Sequence, residues 1–484
     1  MFPASTKGVS SSRMGSASSR RGSAHVFPVS PARISRTGCF VLLSILVILG
    51  ALLRLDFMSA TGFTIDSDEA IVGLMGKHIL EGKPIPVFYY GQHYMGSLEA
   101  IMASVSFRFF GVTPFALQLV PFIWSLALIP IVFFLGRGVL DARAGLVAAA
   151  LMAVPPPALL VWSSKARGGF IEVVVLGALA LCVAVAWVRA NPERLWYPIA
   201  IGFLLGVGWW VNNQIIYFII PISIFCMGHL ASRSMRARLG SAQMRIVFPD
   251  LWLVVVAGVA AFFVGSLPYW WYNIQRGFPS LGMFTTVDFG EFRAHVMGLV
   301  KVALPMIVGA QRFWHKGPIF PYAKVVALAL YLVPIAVLIL LRMKALVRVG
   351  VGAIDRERPI ELITLFCVSC LAVFAWSSFG GLVQAPRYLL PLYVGLFVLV
   401  GCCASFLMRQ SFRVGVAYCV LLLGFQVASS YLGGRGVSGE PVVFASQRVA
   451  RDHTALIRFL SERGITRVRA NYWIGYRLAL ETNE

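Results

Sequence analysis

Three carboxylates, Asp66, Asp68 and Glu69, stand within four residues, directly after the first long apolar run of the chain. Carboxylates at a helix N-terminus stay ionised, as a general base or a cation-binding group must. Asp66 at the N-cap with Glu69 at N3 also makes a capping box, and acids suit a helix start. That leaves Asp68 without a structural duty and makes it, with Glu69, a candidate catalytic acid or base. Further along, 87–99 reads VFYYGQHYMGSLE. Tyr89, Tyr90 and Tyr94 suit an interfacial aromatic belt, whereas Gln92, His93 and Glu99 are more polar than a belt needs. Tyr90, Gln92, His93 and Glu99, together with Asp66, are candidate substrate contacts. The stretch KARGGFIE (165–172) sets Arg167 and a Gly-Gly turn before Glu172, an acid at the head of an apolar run. Such an acid is costly in a membrane unless it faces a cavity or a partner, so Glu172 joins the catalytic candidates in one pocket with 66–69. The alternative is a helix-capping Glu172 paired to Arg167. In QAPRY (384–388), Arg387 offers a fork of donors suited to phosphate, with Tyr388 beside it; a snorkelling anchor is the other reading. No metal centre is predicted: a divalent ion remains possible, but His93 stands alone. Cys367 and Cys370 form a CxxC inside an apolar run without a second pair, which reads as packing.

The elements that carry these residues are membrane spans. Of the 484 residues, 58% are hydrophobic and 13% charged, and mean hydropathy is +0.80. Soluble domains carry about 25% charged residues, so a soluble enzyme is excluded. The 42 basic against 20 acidic residues, net +22, would suggest nucleic acid in a soluble chain. Here the basic residues fall in short gaps between apolar runs, as the cytoplasmic bias of Lys and Arg predicts. A nucleic-acid partner is therefore not expected.

A span needs about 20 apolar residues. Eleven runs qualify: 39–57, 115–136, 143–161, 171–188, 195–212, 214–230, 251–268, 323–341, 360–379, 389–408 and 413–432. The stretch 96–111, with Glu99 and Arg108, is predicted to lie along the surface, because only then do the Arg-rich gaps at 136–143, 231–250 and 342–358 share the cytoplasmic side with the basic N-terminus. The predicted fold class is thus an all-α polytopic membrane protein with about eleven transmembrane helices, outer-face interfacial helices (96–111, and an amphipathic 68–81) and a small C-terminal α/β fragment. Residues 1–38 form a disordered basic cytoplasmic tail, 39–432 the transmembrane domain and 433–484 an extracytoplasmic segment. In that segment 454–463 reads as a helix, Gly464 as its stop and 465–473 as a strand. The outer loops are 58–114, 162–170, 269–322 and 380–388, and the acids and cations above converge there. A transporter or flippase for a lipid-linked or small solute is the alternative, but it should place charges near the midplane and use broken helices.

Four features together resemble the lipid-linked-sugar-dependent glycosyltransferases of the GT-C fold, in the family 39 group that includes relatives of protein O-mannosyltransferases and lipid A aminoarabinose transferases. They are Asp68-Glu69 after the first span, an interfacial helix ending at Phe110-Gly111, Glu172 after Arg167-Gly168-Gly169, and Arg387-Tyr388-Leu389-Leu390-Pro391 before a late span. The resemblance spans roughly 39–484. It implies a hexosyl- or pentosyltransferase in the inner or plasma membrane, with a polyprenyl-phosphate sugar donor, membrane lipid around it, and a lipid, glycan or protein acceptor. The implied reaction is an inverting displacement that releases polyprenyl phosphate. Asp68 matches the family's first-loop acid and Glu172 its second-loop acid, with Glu replacing Asp. Aminoarabinose transferases carry Glu-Lys-Pro where this chain has Gly91-Gln92-His93.

Overall fold

The computed structural model describes residues 35–189, 194–239, 247–283, 287–314, 317–350, 355, 357–432, 443–444, 447–448 and 452–482. Most of the expected basic tail, 1–38, lies outside them. Helix α1 (Arg36–Ala60) leads into α2 (Ser67–Leu80), α3 (Leu98–Phe110) and α4 (Pro114–Val139). Next come α5 (Ala142–Ala153) and α6 (Pro157–Trp162), a single pass broken at Pro155-Pro156-Pro157. Proline lacks the N–H and clashes with the preceding turn, so the helix must stop and restart. Then follow α7 (Phe170–Arg189), α8 (Trp196–Val211), α9 (Ile216–Leu239) and α10 (Val247–Gly265), and α11 (Leu267–Arg276) turns away from α10 by 68°. Helix α12 (Phe289–Gly298) continues through a π-helical stretch into α13 (Leu304–Ile307), and α14 (Ala323–Ala327) likewise into α15 (Val333–Gly350). The bundle closes with α16 (Ile360–Trp376), α17 (Leu392–Gln410) and α18 (Phe412–Tyr431).

Among the described residues, seven helices are long and apolar enough to cross a bilayer. Counting the bent pair α10–α11 as one span makes eight, fewer than the expected eleven; α5, α8 and α16 are apolar but shorter. Helix α3 does not cross. Gln118 near the start of α4 donates to the Thr64 carbonyl at 3.3 Å, and Ser106 of α3 donates to the Ala116 carbonyl at 2.6 Å. At its other end Glu99 accepts from the Gly168–Gly169 turn, next to the Arg167 that pairs with Asp66, so both ends of α3 lie on the face that carries Asp66. The other face holds the Asp141–Arg409 pair at 2.6 Å and the Arg342 contacts to Asp355 and Glu361.

Arg54 of α1 is fully buried and donates to the carbonyls of Gly50, Met152 and Ala153 at 3.1, 3.0 and 3.5 Å. The last two are C-terminal carbonyls of α5, orphaned by the proline break. Arg54 thus makes the break affordable and fixes where α6 and the turn after it emerge.

The C-terminal segment differs from the expected α/β unit. Its strands are a two-residue antiparallel pair, β1 (Val443–Phe444) with β2 (Gln447–Arg448). Helix α19 (Thr454–Glu462) ends before Gly464 (φ +63°), as read from sequence. Residues 465–471 carry no strand, however, and Tyr472–Glu481 is a helix, α20, capped by Asn471. Helix α20 packs on α2, with Leu480 against Gly73 and Lys77 donating to the Thr482 carbonyl at 3.3 Å. This explains why α2, expected to lie on the surface, is buried from Ser67 to Lys77 apart from half-buried Asp68.

Replacing Arg54 by Leu leaves two buried carbonyls without a donor. The thermal-unfolding midpoint in detergent should fall by an amount equivalent to about 1–3 kcal/mol; an unchanged midpoint would mean that the break needs no cap.

Candidate active site

Asp66 and Glu69 form the expected capping box at the start of α2: Glu69 N donates to Asp66 Oδ1 at 3.2 Å and Asp66 N to Glu69 Oε2 at 3.0 Å. Both are buried. Lys165 Nζ stands 3.0 Å from Asp66 Oδ2 and 3.0 Å from Glu69 Oε2. Arg167 pairs with Asp66 through Nη2 and donates from Nε to Asp66 Oδ1 at 3.2 Å. Burial pushes the Glu69 carboxyl up, and the Lys165 charge opposes that shift. Asp66 and Glu69 are thus committed to structure. Asp68 has its side chain about one-third exposed, faces Arg167 Nη1 at 3.5 Å and accepts from Tyr472 OH at 2.6 Å.

The turn that supplies Lys165 and Arg167 is itself held. Gly168 and Gly169 have φ of +88° and +82°, a region that glycine enters without strain. Their N–H groups both donate to Glu99 Oε2 at the head of α3. Asn212 donates to the Gly168 carbonyl at 3.3 Å. Glu99 is therefore a buried brace for this turn, and its carboxyl is pushed well up, by burial first and then by the charge of Glu172.

Asp68 and Arg167 line a cavity of about 300 Å³ with Tyr89, Gln92, Tyr94, Asn213, Gln214, Arg387 and Tyr388 among its walls. Arg387 is seated among aromatic faces, 5.2 Å from the Trp162 ring centroid, 5.8 Å from Phe170 and 5.0 Å from Tyr388. Its buried Nε has no acceptor, and among the described residues no carboxylate pairs with it. Tyr388 stacks on Phe379 at 4.6 Å. Burial and the like charge of Arg387 bring Arg167 down to about 9, so it keeps its charge at neutral pH. The amide oxygens of Gln92, Asn213 and Gln214, residues of this wall, are buried and have no protein donor. Val373, Trp376 and Ser377 are shared with an apolar groove of about 680 Å³ between α12 and α16, lined also by Phe292, Val296, Leu299 and Leu371.

Of the residues singled out from sequence, Asp68, Gln92, Arg167, Arg387 and Tyr388 meet in this cavity. Glu172 does not. It is fully buried, absent from the lining and lies behind the Gly168–Gly169 turn beside Glu99, and Arg167 pairs with Asp66 and Asp68 instead. His93 also points elsewhere: it is exposed, stacks on Tyr272 of α11 and shares a 2.9 Å hydrogen bond with the Tyr272 hydroxyl. Tyr90 bonds His78 at 2.9 Å, while its neighbours Tyr89 and Tyr94, assigned to a belt, line the cavity. Lys165 was a missed site residue; the signal was a second cation two residues before Arg167. Asn212-Asn213-Gln214, three amides in a row between apolar runs, could also have been found. Among the described residues, no three His, Cys, Asp or Glu side chains are arranged to hold a metal ion.

Residues 98–262 match the family model for dolichyl-phosphate-mannose-protein mannosyltransferases. The structure is similar to the oligosaccharyltransferase AglB from Archaeoglobus fulgidus, solved with an inhibitory peptide and a dolichol-phosphate (TM-score 0.52, 13% identity, 90% of this chain and 60% of that one). It is also similar to ArnT from Cupriavidus metallidurans bound to undecaprenyl phosphate (TM-score 0.50, 14% identity, 92% of this chain and 76% of that one). No curated protein matches the chain by sequence. The chain thus has the GT-C fold of membrane glycosyltransferases, and spans about 60% of the length of the oligosaccharyltransferase. It is a multi-pass membrane protein, and its likeness to the mannosyltransferase family model is confined to 98–262.

With its pKa raised, Glu99 holds its proton to higher pH in the folded than in the unfolded state. The stability this confers is complete below the ordinary carboxyl range and is lost as pH rises toward the raised value. Unfolding midpoints taken from about pH 4 to 8 should therefore fall less for Glu99→Gln, whose amide oxygen can still brace the turn, than for wild type. Parallel curves would show that Glu99 does not titrate in this interval.

Proposed function

We propose that this protein transfers a sugar from a polyprenyl-phosphate donor to an acceptor hydroxyl by inverting displacement. The observation that carries the reading is one cavity with a carboxylate, Asp68, and an unpaired guanidinium, Arg387, on its walls and an apolar groove opening from it. The phosphate sits on Arg387, whose planar donors suit it. The prenyl chain lies in the groove between α12 and α16. The sugar lies against Gln92, Asn213 and Gln214, whose free amide oxygens accept from its hydroxyls.

The acceptor hydroxyl gives its proton to Asp68 as its oxygen bonds the anomeric carbon. The bond from that carbon to the phosphate oxygen breaks, and polyprenyl phosphate leaves with the electron pair, its charge met by Arg387 and, more distantly, Arg167. Attack opposite the leaving group inverts the anomeric centre. The acceptor class is a lipid, a glycan or a protein. A translocator would need its charges near the midplane; here Asp68, Arg167 and Arg387 gather at one face. That face is extracytoplasmic on this reading, in the inner or plasma membrane, with the N-terminus cytoplasmic and the C-terminus outside.

Membranes containing the protein, supplied with radiolabelled polyprenyl-phosphate hexoses and pentoses, should incorporate label into an acceptor. Asp68→Asn should lower this by about 10²–10⁴-fold while the protein accumulates normally, and wild-type-like transfer by that variant would falsify the role of Asp68 as base. Orientation is tested separately. With the eight native cysteines replaced, a cysteine at Gln384 should react with an impermeant reagent in intact cells and one at Ser411 should not; the reverse pattern turns the protein over.

A further inference from the structure

We propose that Tyr472, brought in by the C-terminal helix, is a positioning residue that fixes the Asp68 carboxylate for the reaction; this deepens, and rests on, the function just proposed. The Tyr472 hydroxyl donates to Asp68 Oδ1 at 2.6 Å. On the other side Arg167 Nη1 stands 3.5 Å from Asp68 Oδ2, and Tyr89 OH donates to the Asp68 backbone carbonyl at 2.9 Å. One carboxylate oxygen is thus tied by a hydroxyl and the other faced by a guanidinium, so rotation of the group is restrained. Burial and the Asp68 charge push the Tyr472 phenol above its usual range, so it remains a donor through neutral pH.

The contact is built into the fold. Asn471 caps α20, its side chain accepting from Ile474 N at 3.2 Å, so the helix begins at Tyr472 itself. More than two turns away, Leu480 packs where Gly73 of α2 has no side chain: a Cβ there would meet Leu480 and Leu117. Lys77 of α2 closes the helix by donating to the Thr482 carbonyl at 3.3 Å. Helix α2 therefore carries Asp68 at its start and the seat for α20 along its length, which sets the register between Tyr472 and Asp68. The C-terminal segment is on this view a part of the catalytic unit, close to where an acceptor hydroxyl must approach.

The test uses the full chain in detergent. Tyr472→Phe keeps the ring and removes the donor, and Leu480→Asp releases the helix from its far end without touching Asp68. Both should lower kcat about 10-fold and leave KM for the labelled donor within about twofold, with the Tyr472→Phe unfolding midpoint unchanged. Independently of any substrate, carbodiimide coupling of an amine to Asp68, read by peptide mass spectrometry, should speed up severalfold in Tyr472→Phe relative to Asp288 as internal control. Unchanged coupling overturns the contact, and wild-type kcat despite faster coupling overturns the positioning role alone. A wild-type protein that transfers sugar from none of the donors overturns the proposed function and this role with it, whatever the coupling shows.

Discussion

The pairing of Lys165 and Arg167 with the carboxylates at the head of α2 is the interaction on which the rest of the site depends. Buried charges are costly unless paired and hydrogen-bonded. Asp66 and Glu69 meet that condition twice over, once through each other's backbone N–H and once through the two cations. Breaking the pairing would leave carboxylates uncompensated at the edge of an apolar bundle. The cations must therefore arrive at a fixed place, and the structure fixes it from three directions. Arg54 caps the broken α5, Glu99 ties down the Gly168–Gly169 turn, and Asn212 holds the Gly168 carbonyl.

That scaffold separates two kinds of acid that are adjacent in sequence. Asp66 and Glu69 point into the network, which takes both Asp66 oxygens and Glu69 Oε2. Asp68 points out of the helix at the cavity, where Arg167 reaches it only at 3.5 Å. Arg167 consequently serves both sets, strongly on Asp66 and loosely on Asp68. Arg387 stands apart from both. Aromatic faces hold its guanidinium without neutralising it, which preserves a positive charge for an anion from outside. A carboxylate and a cation without a carboxylate partner in one cavity are the division that the proposed displacement of a phosphate by a hydroxyl requires.

How much of this could be read from sequence follows the range of the interactions involved. The capping box was legible because Asp-x-x-Glu before an apolar run is a local pattern, and removing Asp66 and Glu69 from consideration isolates Asp68. The polytopic all-α membrane class was legible because hydropathy is summed over about 20 residues. Arg387 was legible as a lone cation in a short turn. What failed depended on the third dimension. Glu172 begins a helix beside the right turn but points behind it, and nothing in its neighbours sets that angle. His93 and Gln92 are adjacent, yet the 88–96 hairpin sends one to α11 and the other to the cavity. The segment 465–473 is rich in β-favouring Ile, Val, Tyr and Trp, so local propensity argues strand. The Asn471 cap and the seat on α2 override it at Tyr472, as tertiary packing commonly does.

The proposed reaction, between a lipid-borne donor and a polar acceptor, sets a geometric demand that bears on the position of the site. The donor's phosphate and its tail need opposite solvents within a few bonds of each other. The end of α16 meets that demand: Trp376 and Ser377 belong to both the polar cavity and the apolar groove, and Val373 one turn earlier continues the greasy wall. Arg387 lies just after that threshold in the chain, on the short connection from α16 to α17, so the proposed anion and tail sites are built by one stretch of backbone. The carboxylates come from the opposite wall, on α2, whose position is set by the turn before α7 and by the C-terminal helix. On the proposed function, donor and base are thus carried by separate parts of the fold, and the acceptor oxygen enters the cavity between them.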